Sequence, residues 1–226
     1  MLTIPGLCWL CHMPLACPAW GICSRCTQAL ASPDCCPRCG LPAAKGIKQC
    51  GRCLQKPPPW DSILFVSDYR APLKSLVHRL KFGAATALAP ALSRLILLKV
   101  LEAKRALNIP QPDMIISVPL HSRRAWRRGF NQTALLAAPL ARWLRCGYDE
   151  ASVRRLHATA TQHQLSAKLR RRNLRGAFRV DIPVAGRHMV IVDDVVTTGS
   201  TVAEITQLLK KQGAATVQVW CLCRTL

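Results

Sequence analysis

Val190-Ile191-Val192-Asp193-Asp194-Val195-Val196-Thr197-Thr198-Gly199-Ser200-Thr201 decides how this chain is read. A run of β-branched residues, suited to a strand buried on both faces, leads into two adjacent carboxylates. A loop of hydroxyl residues around one glycine follows, and then a helical pattern begins. The first turn of such a helix offers unpaired N–H groups and the positive end of the helix dipole, so the loop favours an anion. Gly199 lets the backbone take φ > 0 and approach a phosphate closely. Thr197, Thr198, Ser200 and Thr201 add donors. Asp193 and Asp194 suit the cis-diol of a ribose, whose hydroxyls donate to carboxylates. The pattern predicts a site for a ribose 5-phosphate group. The plainer alternative is a strand followed by a helix capped by Ser200 or Thr198.

Outward from this segment, strands are expected at 62–67, 114–118, 177–180, 188–193 and 216–222. Helices are expected at 73–82, 87–106, 133–144 and 200–212, the last stopped by Gly213. Alternating strands and helices predict an α/β fold with a mainly parallel sheet and helices on both faces. Ligands of such sheets sit at the strand C-terminal ends, where Asp193 and Pro119 would both be found.

The 13 cysteines are grouped. CxxC pairs occur at Cys8/Cys11, Cys23/Cys26, Cys36/Cys39 and Cys50/Cys53, a spacing that lets two sulfurs reach one tetrahedral Zn²⁺. Sequential sites are favoured: Cys8, Cys11, Cys23 and Cys26 on one ion, and Cys36, Cys39, Cys50 and Cys53 on the other. An interleaved pairing would use the same ligands. Gly40 and Gly51 each follow a cysteine, where a knuckle turn calls for φ > 0. Cys35 lacks the spacing to Cys39, and Cys17, Cys146, Cys221 and Cys223 are expected as packed thiols. Residues 1–54 have too little core to fold without metal, so the zinc is expected to be structural.

Gln55-Lys56-Pro57-Pro58-Pro59-Trp60 reads as a stiff linker between this double zinc ribbon and a larger domain at 61–226. The formal net charge of the 226 residues is +21, which points to a polyanionic partner. Two four-thiolate zinc sites would lower it by only about four. The apolar N-terminal stretch lacks a basic start and is broken by Pro5, Pro14 and Pro18. Arg94 and Lys99 interrupt the apolar stretch at 86–101, so no membrane insertion and a cytoplasmic location are expected.

Residues 190–201 resemble the signature of type I phosphoribosyltransferases, which bind phosphoribosyl pyrophosphate (PRPP). A second element, Val118-Pro119-Leu120 followed by Arg123-Arg124, Arg127-Arg128-Gly129-Phe130-Asn131-Gln132, is similar to the competence protein F/GntX family (ComF/GntX). Leu80-Lys81-Phe82, the paired CxxC knuckles and the run from Thr161-Gln162 to Phe178 are similar as well. The likeness covers essentially the whole chain and is nearest the GntX branch. It implies a type I phosphoribosyltransferase-like domain, with Asp193 and Asp194 on the ribose hydroxyls and residues 197–201 on the 5-phosphate. It also implies Mg²⁺ carried largely by the substrate's pyrophosphate, and a loop within 154–179 that closes over PRPP. Arg123, Arg124, Arg127 and Arg128 are candidates for pyrophosphate or nucleic acid, since guanidinium groups pair with phosphate bidentately.

No nucleobase-selective hood is recognisable, so the acceptor is open. The family likeness implies DNA uptake or use of extracellular DNA as a nutrient. Residues 121–179 carry 14 Lys or Arg against Asp149 and Glu150, interleaved with Trp126, Phe130, Trp143, Tyr148 and Phe178. Bases can stack on such aromatics while arginines follow a single-stranded DNA backbone, with some of the rings expected in the core. A non-catalytic role in DNA handling, with PRPP as a regulatory ligand, is the competing expectation. A scaffold for a helicase or nuclease is a third.

Overall fold

The structure is a computed structural model that describes residues 6–30, 34–120, 129–156 and 176–225. Two short helices, α1 (Ser24–Ala29) and α2 (Gly51–Gln55), belong to the cysteine-rich region. Then come β1 (Ser62–Asp68), α3 (Leu73–Phe82), α4 (Ala89–Leu107) and β2 (Met114–Ser117). They are followed by α5 (Gln132–Leu144), β3 (Gly147–Tyr148), β4 (Val153–Arg155) and β5 (Phe178–Val180). The chain ends with β6 (His188–Val196), α6 (Ser200–Lys211) and β7 (Thr216–Arg224).

The main sheet has the order β1-β7-β6-β2-β3, and every neighbouring pair is parallel. β6 and β7 run through its centre, which explains their nearly unbroken apolar sequence. One face carries Val190, Val192, Trp220 and Leu222 against the buried stripes of α3, α4 and α5. The other carries Ile191, Val219 and Cys221 against Val202, Ile205 and Leu209 of α6. The expected α/β sheet with helices on both faces is therefore present.

Two of the expected strands need correction. The strand expected at 177–180 lies outside the main sheet: β5 pairs antiparallel with β4 as a separate ribbon. The strand expected to stop at Asp193 continues through Asp194 to Val196. Val195 and Val196 favour extended backbone and pair with Cys223 and Arg224 of β7, so the ladder holds both carboxylates inside a strand.

The cysteine-rich region folds as two similar ribbons. In each, an isolated bridge (Leu7 with Pro14, Cys35 with Pro42) closes a knuckle. The residue after the knuckle's second cysteine has φ > 0, 60° at His12 and 75° at Gly40. Cys23 and Cys50 then cap α1 and α2. Gly51, expected to supply a positive φ, instead opens α2. The first ribbon adds Leu15, Ile22 and Leu30 to the α3/α4 core. Gly21 fits there because it has φ 65° and because a Cβ would lie 2.4 Å from that of Ala91. Arg79 and Arg94 cover the rings of Trp9 and Trp20. The second ribbon lies along β1, where the Ile63 N–H donates to the Pro37 carbonyl at 2.9 Å. It covers an edge strand that would otherwise be open to pairing.

Candidate phosphoribosyl site and metal centres

The parallel ladder places the C-terminal ends of β6 and β2 side by side, with the Val118 N–H donating to the Val192 carbonyl at 3.1 Å. Asn131 caps α5 and ties it to this edge: its side chain accepts from the Thr133 N–H and donates to the Val118 carbonyl. The Thr133 hydroxyl donates to the same carbonyl at 2.7 Å. With its start fixed in this way, α5 brings Gln132 across to β6.

Alternation along β6 sends the two carboxylates to opposite sides of the strand. Asp194 is 4% exposed, and both its oxygens are engaged. Lys81, from the end of α3, lies 2.8 Å from one, and the Gln132 amide donates to the other at 2.7 Å. Asp193 is half-buried, and one of its oxygens accepts the Asp194 N–H at 2.8 Å. Burial, and next the charge of Asp194, push the Asp193 carboxyl up to about 7, while Lys81 pulls the other way. The two acids are therefore not equivalent: one is locked into an internal ion pair, and the other is the more accessible.

Gly199 precedes α6 with φ 74° and ψ 8°, and its carbonyl accepts the first helical N–H, from Ala203. Thr198 and Ser200 share a hydroxyl contact of 2.9 Å, and the Ser200 N–H reaches the Thr198 hydroxyl at 3.4 Å. Thr197 and Thr198 are exposed, and Thr201 is half-buried. The loop is thus a small hydroxyl-rich cradle at a helix start. Behind it, between α2, the proline segment and α6, is a cavity of about 530 Å³ whose lining includes Arg52, Lys56, Thr198, Gln207 and Arg224 and, among the described residues, no Asp or Glu. Its chemistry favours an anion.

The cysteines pair sequentially. Cys8, Cys11, Cys23 and Cys26 form one cluster and Cys36, Cys39, Cys50 and Cys53 the other, each with all four sulfurs within 4.8 Å of one another. Zn–S bonds of about 2.3 Å in a tetrahedron imply S–S separations of about 3.8 Å. The sulfurs of Cys11 and Cys23 are 3.8 Å apart, those of Cys36 and Cys53 3.9 Å, and those of Cys39 and Cys50 3.6 Å. Both sets fit zinc. Burial raises the Cys8 thiol, but backbone N–H groups of Cys11, Cys23 and Leu10 outweigh it and bring it down to about 6. Cys36 is brought down to about 7 in the same way by N–H groups of Cys39, Cys50 and Arg38. Cys26 and Cys53 are pushed up by burial and by their neighbouring sulfurs. Proton sharing of this kind ends when a dication takes four thiolates. Cys35 packs against the α6-side core, and Cys221 and Cys223 are buried in β7.

Other expected residues lie outside the described part of the chain or pack in the core. Arg123, Arg124, Arg127, Arg128, Trp126 and the 157–175 part of the expected closing loop lie outside the described residues. Of the interleaved aromatics, some of which were expected in the core, Phe178 is 3% exposed and belongs to it, and Tyr148 also packs inward. Trp143 is 38% exposed. The partners of Asp194 were not identifiable from spacing, although Lys81 and Gln132 both stand in segments that the family likeness singled out. A lysine at the end of an amphipathic helix and a glutamine at the start of another were the available signals.

This combination defines a protein with a phosphoribosyltransferase-type domain and two four-cysteine centres. Residues 132–226 match the family described as phosphoribosyl transferase domain. The chain is 64% identical over 227 residues, covering 100% of both chains, to DNA utilization protein YhgH of Escherichia coli O157:H7. It is 41% identical over 207 residues, 90% of each chain, to competence protein F of Haemophilus influenzae. The chain belongs to the ComF/GntX family. Among solved structures it overlaps adenine phosphoribosyltransferase of Saccharomyces cerevisiae with a TM-score of 0.39 and 21% identity, over 59% of this chain and 69% of that one. Among the described residues, no helix is long and apolar enough to cross a membrane.

Proposed function

We propose that the protein binds Mg²⁺–PRPP at the β6–α6 junction and serves the use or uptake of DNA, as the names of its relatives suggest. The observation that carries this reading is the half-buried Asp193 near the C-terminal end of β6, with three strand residues between it and the hydroxyl cradle at 197–201. Asp193 would accept from the ribose hydroxyls, and Asp194 would hold the local geometry through Lys81 and Gln132. Residues 197–201 would take the 5-phosphate. Mg²⁺ would ride on the pyrophosphate and neutralise it. If the bound molecule reacts, an acceptor displaces pyrophosphate from C1, and the chain's part is positioning and electrostatic stabilisation. The two four-cysteine sets would each hold a structural Zn²⁺.

The test is pyrophosphate release by the zinc-loaded protein with Mg²⁺–PRPP and a mixture of nucleobases, beside Asp193→Asn/Asp194→Asn. Release by the unaltered protein that is lost in a double variant still folded by circular dichroism establishes a phosphoribosyltransferase. PRPP binding without release favours a second reading, a DNA-handling protein that uses PRPP as a regulatory ligand. The net charge of +21 supports that reading. Affinity for single-stranded DNA should then fall with salt at a log–log slope of about −3 to −5, as expected for four to seven phosphate contacts. A slope near zero removes the nucleic-acid role.

A further inference from the structure

Three consecutive carbonyls of the second knuckle accept hydrogen bonds from the β1–β7 edge of the larger domain. Pro37 accepts from the Ile63 N–H at 2.9 Å, Arg38 from the Trp60 indole at 2.7 Å, and Cys39 from Arg224 Nε at 3.2 Å. Two of these donors also touch the phosphate loop. Trp60, 4% exposed, lays its ring against Gly199 so closely that a Cβ there would be 2.6 Å from Cη2. Arg224, 8% exposed, donates through Nη1 to the Val196 carbonyl at 3.0 Å and to the Thr197 carbonyl. Trp60 and Arg224 are thus two struts between the Cys36–Cys39 knuckle and the two ends of the loop. The first ribbon's described contacts run instead to the helical face, through Trp9 with Arg79, Trp20 with Arg94 and Gly21 with Ala91.

We infer that the two four-cysteine centres are not equivalent: the second, through Trp60 and Arg224 as positioning residues, sets the conformation of the 197–201 loop, and the first does not. A knuckle closed on its metal holds the three carbonyls in one arrangement. Opening it frees the indole and the guanidinium, and the loop loses the surfaces that fix Val196, Thr197 and Gly199. Metal loss or thiol oxidation at the second centre should therefore weaken binding of a phosphorylated ribose, whereas the same damage at the first centre should not. The functional half of this inference rests on reading 197–201 as a phosphate cradle. The conformational half does not.

The test compares Cys36→Ser/Cys53→Ser, Cys8→Ser/Cys26→Ser, Trp60→Phe and Trp60→Leu in the full chain. Measurements are zinc stoichiometry, amide hydrogen exchange of peptides covering 189–203, and calorimetric binding of ribose 5-phosphate. Exchange at 197–201 should rise about tenfold or more in the second-centre variant and in Trp60→Leu, and less in Trp60→Phe, which keeps a ring on Gly199. Exchange at 189–192 should stay unchanged, which a general loss of stability would not allow. Ribose 5-phosphate affinity should fall in parallel, by about tenfold. The first-centre variant should leave both quantities within about twofold. Unchanged exchange at 197–201 in a second-centre variant that has lost its zinc, or equal effects from both centres, would overturn the inference. Should that variant not fold, the Trp60 pair, with both centres intact, still judges the strut, and unchanged exchange at 197–201 in Trp60→Leu would overturn the inference. If the unaltered protein binds no ribose 5-phosphate, the phosphate reading falls, and the exchange data still judge the struts.

Discussion

Lys81 Nζ lies 2.8 Å from an oxygen of Asp194, joining the end of α3 to the centre of the sheet. The carboxylate side chain is 5% exposed and the lysine 18%, so the pair is shielded from solvent, unlike the ion pairs of the surface. Its remaining oxygen takes the Gln132 amide, leaving Asp194 a fixed part of the framework.

Removing one partner of a buried pair leaves an uncompensated charge. Lys81→Met should therefore cost about 3 kcal/mol of unfolding free energy, measured by urea denaturation. Lys81→Met/Asp194→Asn should recover most of that loss. A loss below about 1 kcal/mol in the single variant would place the pair in the class of screened surface contacts.

Asp193 gives stability a particular pH dependence. Its carboxyl is raised to about 7, whereas in the unfolded chain it titrates at about 4. Between these values the folded chain holds a proton that the unfolded chain has released, so stability from this group falls as pH rises. Its contribution is most favourable at the acid end, and the loss is complete above about pH 7, on the order of a few kcal/mol. Asp193→Asn should flatten this slope in denaturation curves between about pH 4 and 8. An unchanged slope would show that Asp193 is ionised throughout the range.

Gly199→Ala meets two obstacles, a φ of 74° and the Trp60 ring 2.6 Å from the new Cβ. The left-handed backbone alone costs an alanine about 1–3 kcal/mol, and the rigid ring cannot swing aside without breaking its bond to Arg38. The variant should lose ribose 5-phosphate affinity in calorimetry and unfold earlier on heating. Gly186→Ala, with a similar φ of 71° but nothing within 4 Å of the added carbon, should bear the backbone cost without losing affinity.

The metal prediction is about two zinc ions per chain, both released when the cysteines are modified by a mercurial and read with a chromogenic chelator. Binding should weaken below about pH 6, where protons compete for the thiolates. Chelation should collapse the ribbons, because Cys36, Cys39 and Cys53 form the second ribbon's own small core with little else. Retention of ribbon structure in metal-free protein, seen by near-ultraviolet circular dichroism, would contradict this.

Much of the site was legible because its information is local. The CxxC spacings, the apolar run into Asp193-Asp194 and the glycine between hydroxyls each lie within a few residues. Periodicity likewise placed α3, α5, α6, β1, β2, β6 and β7 close to where they form. It failed for β3 and β4, whose two and three residues are too short to show a period. It also could not say that Phe178 and Tyr148 point inward, since an aromatic among arginines reads the same whether its ring faces a core or a base.

The α/β order, the grouping of eight cysteines into CxxC pairs and the acidic-hydroxyl segment were set by the order of residues alone, because short-range spacing sets which groups a turn or a strand end can present. What those groups touch depends on packing between distant segments. That packing gave Asp194 to Lys81 and Gln132, left Asp193 the more accessible acid, and set the second knuckle against the 197–201 loop through Trp60 and Arg224. Those partners stand far apart along the chain. They meet because the sheet order and the docking of the second ribbon on β1 bring them together, and no local pattern encodes that packing.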